Sequence, residues 1–220
     1  KNFVATLNEP IFASTWFPCN DKPNDKAMVQ MSITNDSNIV SLSNGKLVDI
    51  IATDDRRTYT WKSEYPVATY LISIYSGEYK TFSQQYVSAN HTMNIDYYVM
   101  EEKLADANFD FENHPNYLKV FSELFGEYPF IKEKYGVAEI LWQQGAMESQ
   151  TITGIGGNFI SGKNFNEAIL IHEVAHHWWG NAVTPKTWND IWLNEGFAKY
   201  SEALYFEKIF GNKALISSMN

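Results

Sequence analysis

A chain of 220 residues that is 45% hydrophobic and 15% aromatic has enough apolar side chain to bury a sizeable core, which excludes a disordered tail. Its 17 Lys and Arg against 26 Asp and Glu give a formal net charge of −9, which disfavours nucleic acid and anionic membrane as partners and tolerates basic or free-amine ones. The single cysteine, Cys19, excludes an internal disulfide, and no apolar run of about eighteen residues is present to span a membrane as a helix.

From Phe3 to about Met100, short β-rich segments alternate with turn residues. Val29, Met31 and Ile33 alternate with Gln30, Ser32 and Thr34, the pattern of a half-buried strand, and Asn35-Asp36-Ser37-Asn38 closes it. Ser43-Asn44-Gly45-Lys46 reads as a hairpin turn. Tyr59 and Trp61 alternate ahead of Pro66, Val67 to Tyr75 predicts one strongly apolar strand, and Met93, Ile95, Tyr97 and Val99 alternate again. Together these predict an antiparallel β layer. Cys19 is expected to be a buried thiol, and His91 and His114 to be surface or packing residues.

Near Glu101 the character changes. Asn116 to Phe125 has helical spacing through Tyr117, Val120, Phe121 and Leu124, and Gly126 stops it. Tyr135 to Trp142 and Gly145 to Thr153 read as strands, with Gly154, Gly156 and Gly157 as a flexible loop. A helix from about Phe165 to Trp179 follows, then a break at Gly180, Thr184 and Pro185, then a second helix from about Trp188 to Phe210. Strands followed by helices predict an α+β fold. Trp178, Trp179, Trp188 and Trp192 are expected to pack the two helices together, and Tyr200 and Tyr205 to be packing residues.

The first of those helices carries His-Glu-x-x-His at 172–176. Residues four apart share a helix face, so His172 and His176 can each give one ring nitrogen to a single small cation. Glu173, one residue further round, can take a proton from water held beside that cation. Glu195, eighteen residues beyond His176 in the second helix, is the best candidate for a third ligand. Two histidines, a carboxylate and an open position suit a catalytic zinc, one per chain, whereas a structural zinc is usually closed by four protein ligands. His177 lies off the 172/176 face and reads as a hydrogen-bonded helix residue. Glu202, seven residues past Glu195 on nearly the same face, is either an acceptor for the outer nitrogen of a ligand histidine or an ordinary exposed carboxylate.

HEVAHHWWGN followed by TWNDIWLNEGFAKYSE resembles the zinc signature of the membrane alanyl aminopeptidase (aminopeptidase N) family, of gluzincin type. Upstream, Gly145-Ala146-Met147-Glu148 is similar to that family's exopeptidase motif, and Trp16-Phe17-Pro18-Cys19-Asn20-Asp21-Lys22-Pro23 resembles a signature of its N-terminal β domain. One departure is Ser149, where the family commonly has Asn. The resemblance implies two units: residues 1–100 as the C-terminal part of the N-terminal β domain, and residues 101–220 as the N-terminal part of a thermolysin-like catalytic domain. It implies a zinc aminopeptidase acting on peptides with a free N-terminus. Glu148 would meet the substrate ammonium, Glu9 would assist it, and the backbone of Gly145 and Ala146, beside Met147, would hold the peptide as an added strand. An exposed strand carboxylate is the alternative for Glu148, and an incidental carboxylate before Pro10 is the alternative for Glu9.

The family's oxyanion-stabilising tyrosine would lie beyond Asn220, so this chain is expected to be a fragment, poorly active without the remaining C-terminal part of the enzyme. Two rivals stand beside this reading: an endopeptidase or other zinc hydrolase on the same scaffold, and a non-catalytic binding or scaffold protein. The first has no use for amine-binding carboxylates, and the second has none for Glu173. The compartment is undetermined by the sequence.

Overall fold

A computed structural model describes residues 3–219. In the N-terminal part β1 (Val4–Ala5), β2 (Lys26–Ala27), β3 (Gln30–Asp36), β4 (Val40–Ser43), β5 (Lys46–Ala52), β6 (Arg56–Lys62), β7 (Val67–Ala68) and β8 (Ile74–Gly77) form small antiparallel sheets, ordered β1-β8-β4, β2-β7 and β3-β6-β5. The period-two pattern sets the registers. Met31 and Ile33 of β3 sit opposite Trp61 and Tyr59 of β6, and the two aromatics are buried beneath them. Gly45 turns β4 into β5 at φ +80, and a Cβ there would meet the carbonyl oxygen of Lys62 at 2.2 Å, so glycine is required.

The single strand expected over Val67 to Tyr75 is broken. β7 ends at Ala68, Thr69–Leu71 form a 3-10 turn, and β8 begins only at Ile74. Residues 67 to 73 are all buried, so their apolar run has no alternation to mark where the chain changes sheets. Asn44 satisfies the backbone freed at the break: its Nδ2 donates to the Leu71 carbonyl (2.8 Å) and its Oδ1 accepts from Ser73 N–H (2.9 Å).

β9 (Lys80–Val87) and β10 (Thr92–Val99) make a hairpin that buries Met93, Ile95, Tyr97 and Val99, as their alternation predicts. This hairpin departs from the antiparallel layer expected up to Met100. β10 pairs in parallel with β11 (Tyr135–Ile140), β11 in parallel with β13 (Thr153–Gly156), and β12 (Ala146–Met147) lies antiparallel on the outer edge. The result is a mixed sheet ordered β12-β13-β11-β10-β9. Parallel neighbours need a crossover, supplied here by α1 (Leu104–Asp110) and α2 (His114–Phe125). α2 buries Tyr117, Leu118, Val120 and Phe121 and ends at Gly126, φ +94. His114 is fully buried against Tyr97, Phe111 and Tyr135, whereas His91 is exposed.

The glycine loop expected at 154–157 is largely strand, because Gly154 and Gly156 lie in β13 and are buried. Their lack of side chains reflects close packing. A Cβ on Gly156 would fall 2.0 Å from the Trp142 carbonyl oxygen, and one on Gly154 2.8 Å from the Tyr75 hydroxyl.

α3 (Glu167–Ala175) is shorter than its sequence pattern, although His176 keeps helical angles before tightened turns lead to Gly180 at φ +118. A 3-10 turn over Trp188–Asp190 precedes α4 (Trp192–Phe210), and α5 (Asn212–Met219) is an additional helix. Of the four tryptophans expected to join α3 and α4, Trp179 does so against Phe197 (5.0 Å between ring centres). Trp178 packs on Phe121 and Tyr128, Trp188 packs on Tyr70, and Trp192 is 60% exposed. Tyr205 is buried, Tyr200 is largely exposed, and Cys19 is half-buried where a fully buried thiol was expected.

Replacing Gly156 by Ala should destabilise the fold by about 1–3 kcal/mol through overpacking against Trp142. Urea unfolding measures this, and an unchanged midpoint would contradict the close approach.

Candidate active site

α3 buries Leu170, Ile171, Val174 and Ala175 in the main core and turns His172 and His176 toward α4. Their rings stand 4.5 Å apart, with the two Nε2 atoms at 2.9 Å. Glu195, in the first turn of α4, brings Oε2 to 3.2 Å from His172 Nε2 and 3.6 Å from His176 Nε2. A tetrahedral zinc with bonds of about 2.0–2.1 Å spaces its ligand atoms about 3.4 Å apart. The three atoms bracket that spacing.

The outer nitrogens decide what the inner ones can do. His172 Nδ1 lies 2.8 Å from Glu202 Oε1, and His176 Nδ1 lies 3.0 Å from the Trp179 carbonyl. Both partners are acceptors, so each Nδ1 carries a hydrogen and each neutral ring turns a bare Nε2 lone pair inward. Lone pairs 2.9 Å apart beside a carboxylate repel unless a proton or a cation lies between them. Without an ion the histidines become strong bases. Burial by itself lowers His172, but its bonds to Glu195 and Glu202 carry it up to about 9. His176, likewise penalised by burial, is carried up to about 10 by Glu148 and Glu195. Glu195, though partly buried, is held well below the usual carboxylate range by its bonds to His172 and His176. Glu202 is buried and also accepts from Lys199 Nζ at 2.8 Å.

Glu173 is buried beside this set, and its Oε2 has no hydrogen-bond partner among the described residues. Burial pushes its carboxyl up to about 8, with His176 opposing and Glu148 adding to the shift.

A second cluster adjoins the first. One carboxylate oxygen each from Glu9, Glu148 and Glu195 lies within 4.8 Å of the others. Glu148 follows β12 and is only 4% exposed, with no hydrogen-bond partner for Oε1 among the described residues, unlike an ordinary surface carboxylate. Glu9 comes from the irregular segment after β1, and burial, then Glu148 and Glu195, push it up to about 8. Three carboxylates this close call for protons or a cation.

Where Gly145 to Thr153 predicted one strand, only Ala146–Met147 pairs, with β13. The Gly145 carbonyl accepts from Gly156 N–H at 3.0 Å. Ala146, at the alternate position, directs its peptide groups to the open outer edge. Met147 is buried with Tyr70 and Leu71. His177 is buried too: its Nδ1–H donates to the Glu173 carbonyl (3.1 Å), its Nε2 accepts from Thr151 N–H (3.2 Å), and burial lowers it to about 3.

Several residues at this site escaped the sequence reading. The Tyr70 hydroxyl donates to the Gly180 carbonyl (3.3 Å) and accepts from Asn194 Nδ2 (3.0 Å), within the field of Glu148 and Glu9. Lys26 Nζ donates to the Asn181 and Ala182 carbonyls at 2.7 and 3.1 Å. Tyr70 and Lys26 lie more than a hundred residues from these partners, beyond any local spacing rule. The adjacency of Asn194 to Glu195 was the one cue.

Residues 109–220 match the peptidase family M1 domain, and residues 1–71 match the peptidase M1 N-terminal domain. The chain belongs to peptidase family M1. It is 31% identical to endoplasmic reticulum aminopeptidase 1 of Mus musculus over 214 residues, covering 90% of this chain and 22% of the relative. It is also 31% identical to glutamyl aminopeptidase of Bos taurus over 222 residues, covering 94% and 23%. The solved M1 zinc metallopeptidase from Deinococcus radiodurans shares its fold with a TM-score of 0.84 at 27% identity, covering 96% of this chain and 47% of that one. This M1 chain thus spans a little over a fifth of the length of those curated relatives.

Binding of zinc by His172, His176 and Glu195 should stabilise the native state by about 4 kcal/mol at a thousandfold excess over the dissociation constant. Chelation should therefore lower the melting temperature, and zinc should restore it. His172→Ala and Glu195→Ala should melt alike with and without chelator; an undiminished zinc response in both variants would rule out this ligand set.

Proposed function

We propose that this M1 chain carries the catalytic centre of a zinc aminopeptidase that removes the N-terminal residue from peptides with a free amine. The reading rests chiefly on Glu195, whose carboxylate belongs both to the histidine cluster and to the cluster with Glu9 and Glu148. A hydrolytic centre and a cluster of carboxyl groups able to accept a cation therefore share one side chain. An alkylammonium has three N–H donors and no acceptor, which suits a pocket of converging carboxylates. An endopeptidase would gain nothing from such a pocket, because its substrate presents neutral amides there.

His172, His176 and Glu195 would hold the ion. When bound, zinc supplies a Lewis acid for the scissile carbonyl and makes a neighbouring water easier to deprotonate. Glu173 accepts the water's proton on its unpartnered oxygen and returns it to the departing amine. Glu148 and Glu9 hold the substrate ammonium, and the outer edge of Ala146 bonds the peptide backbone as an extra strand. Glu202 and the Trp179 carbonyl keep the Nδ1 hydrogens in place, so that both Nε2 atoms stay free to bind the ion. Neither Tyr200 nor Tyr205 is drawn into the reaction: Tyr200 is largely exposed and the Tyr205 hydroxyl is engaged by Asn116 Nδ2 at 3.0 Å.

In the full-length protein, Glu173→Gln should keep its zinc and lose about a hundredfold or more in kcat. Near-normal turnover at full zinc occupancy would contradict the general-base assignment. Acetylating the substrate amine removes the partner of a buried carboxylate, so aminoacyl reporters should be favoured over N-acetylated ones by roughly 2–5 kcal/mol in kcat/KM. Equal rates on both would favour an endopeptidase.

A further inference from the structure

Thr151 is a β-branched residue at φ +67, fully buried, a conformation that L side chains with a branched Cβ rarely adopt. Such an outlier persists only when its surroundings over-determine it. Here every polar group of Thr151 is engaged. Its N–H donates to His177 Nε2 (3.2 Å), its Oγ1 accepts from Gly45 N–H (2.9 Å) and Lys134 Nζ (3.3 Å), and its carbonyl accepts from Lys134 Nζ (3.1 Å).

The residues between Thr151 and Glu148 are fastened as firmly. The Gln150 carbonyl accepts from Asn44 Nδ2 (2.7 Å), Ser149 Oγ meets the Tyr75 hydroxyl (2.9 Å), and the Glu148 carbonyl accepts from Asn181 Nδ2 (2.7 Å). The short segment that carries Glu148 is thus bonded to the β4–β5 turn, to β8 and to the chain beyond α3.

His177 closes the circuit. Its own N–H goes to the Val174 carbonyl, which leaves the Glu173 carbonyl to the ring's Nδ1–H at 3.1 Å. One imidazole therefore ties the backbone of Glu173 to the backbone of Thr151, three residues from Glu148. Removal of a single N-terminal residue requires a fixed distance between the group that holds the amine and the group that activates water. A displacement of about 1 Å in such geometry can cost on the order of a hundredfold in rate.

We propose that His177 and Thr151 are positioning residues that fix Glu148 relative to Glu173, so that hydrolysis falls one residue from the free amine. This rests on the aminopeptidase reading above for the roles of Glu148 and Glu173. Leucine at 177 would keep apolar bulk but leave Thr151 N–H without an acceptor. Glutamine could restore both contacts, because its amide oxygen accepts and its nitrogen donates.

The test uses the full-length protein with two readouts: hydrogen–deuterium exchange of the segment 148–152, and kcat and KM on aminoacyl and N-acetylated reporters. His177→Leu should speed exchange of that segment by about tenfold or more and cut the free-amine preference by about tenfold, mainly through KM, with zinc content unchanged. His177→Gln should restore both. Faster exchange with an undiminished preference would overturn the proposal, as would unchanged exchange or loss of zinc from His177→Leu. A wild-type protein that ignores acetylation would instead sink the underlying aminopeptidase reading, whatever the exchange shows.

Discussion

Two imidazole nitrogens with their lone pairs turned inward, 2.9 Å apart and faced by a carboxylate, form the constraint on which the rest of the site depends. Repulsion of this kind is tolerated only where the fold makes it hard to escape. The helical rise of α3 stacks the two rings, and the apolar residues behind them prevent the helix from rotating away. Glu202 and the Trp179 carbonyl hold both Nδ1 hydrogens on the outside, which removes the tautomer that would let one ring donate to the other. A cation held by His172, His176 and Glu195 would resolve the conflict. Its charge would also favour the ionised form of Glu173, against the burial that pushes that carboxyl up to about 8.

The second half of the site depends on the first through Glu195. Once that carboxylate leans toward the histidines, Glu148 and Glu9 remain as a pair of converging carboxyl groups, and the buried Oε1 of Glu148 has no hydrogen-bond partner among the described residues. A substrate ammonium would supply the missing positive charge. The N-terminal sheets contribute directly here. They bring Glu9 into the carboxylate cluster, fix Tyr70 against Gly180 and Asn194, and place Lys26 on the turn after α3. Residues far apart in the sequence therefore meet at this site, Glu9 with Glu148 and Glu195, and β12 forms the outer edge of the mixed sheet beside them.

How much of this the amino-acid sequence announces depends on the range of the interaction. The His172/His176 pair, the helix of Glu195 and the alternating strands β3, β6 and β10 follow from local periodicity and were legible. Glu202 was left open by spacing alone, and its bond to His172 appears only when α3 and α4 cross. The Val67 to Tyr75 run misled because a segment buried on every side has no period. Gly154 and Gly156 misled because glycine serves both loops and tight packing, and only the nearness of Trp142 and Tyr75 tells which. The partners of Tyr70, Lys26 and His177 come from distant parts of the chain, so no window of sequence contains them.

On the proposed function, one ion and one amine occupy adjacent halves of a site divided by Glu195. Crystals of the full-length protein soaked with zinc and a free amino acid, with data collected on both sides of the zinc absorption edge, test it directly. A single anomalous peak bonded to His172 Nε2, His176 Nε2 and Glu195 is expected, with the amino nitrogen between Glu9 and Glu148. Zinc held instead by Glu9, Glu148 and Glu195, or an amine bound away from Glu148, would contradict it.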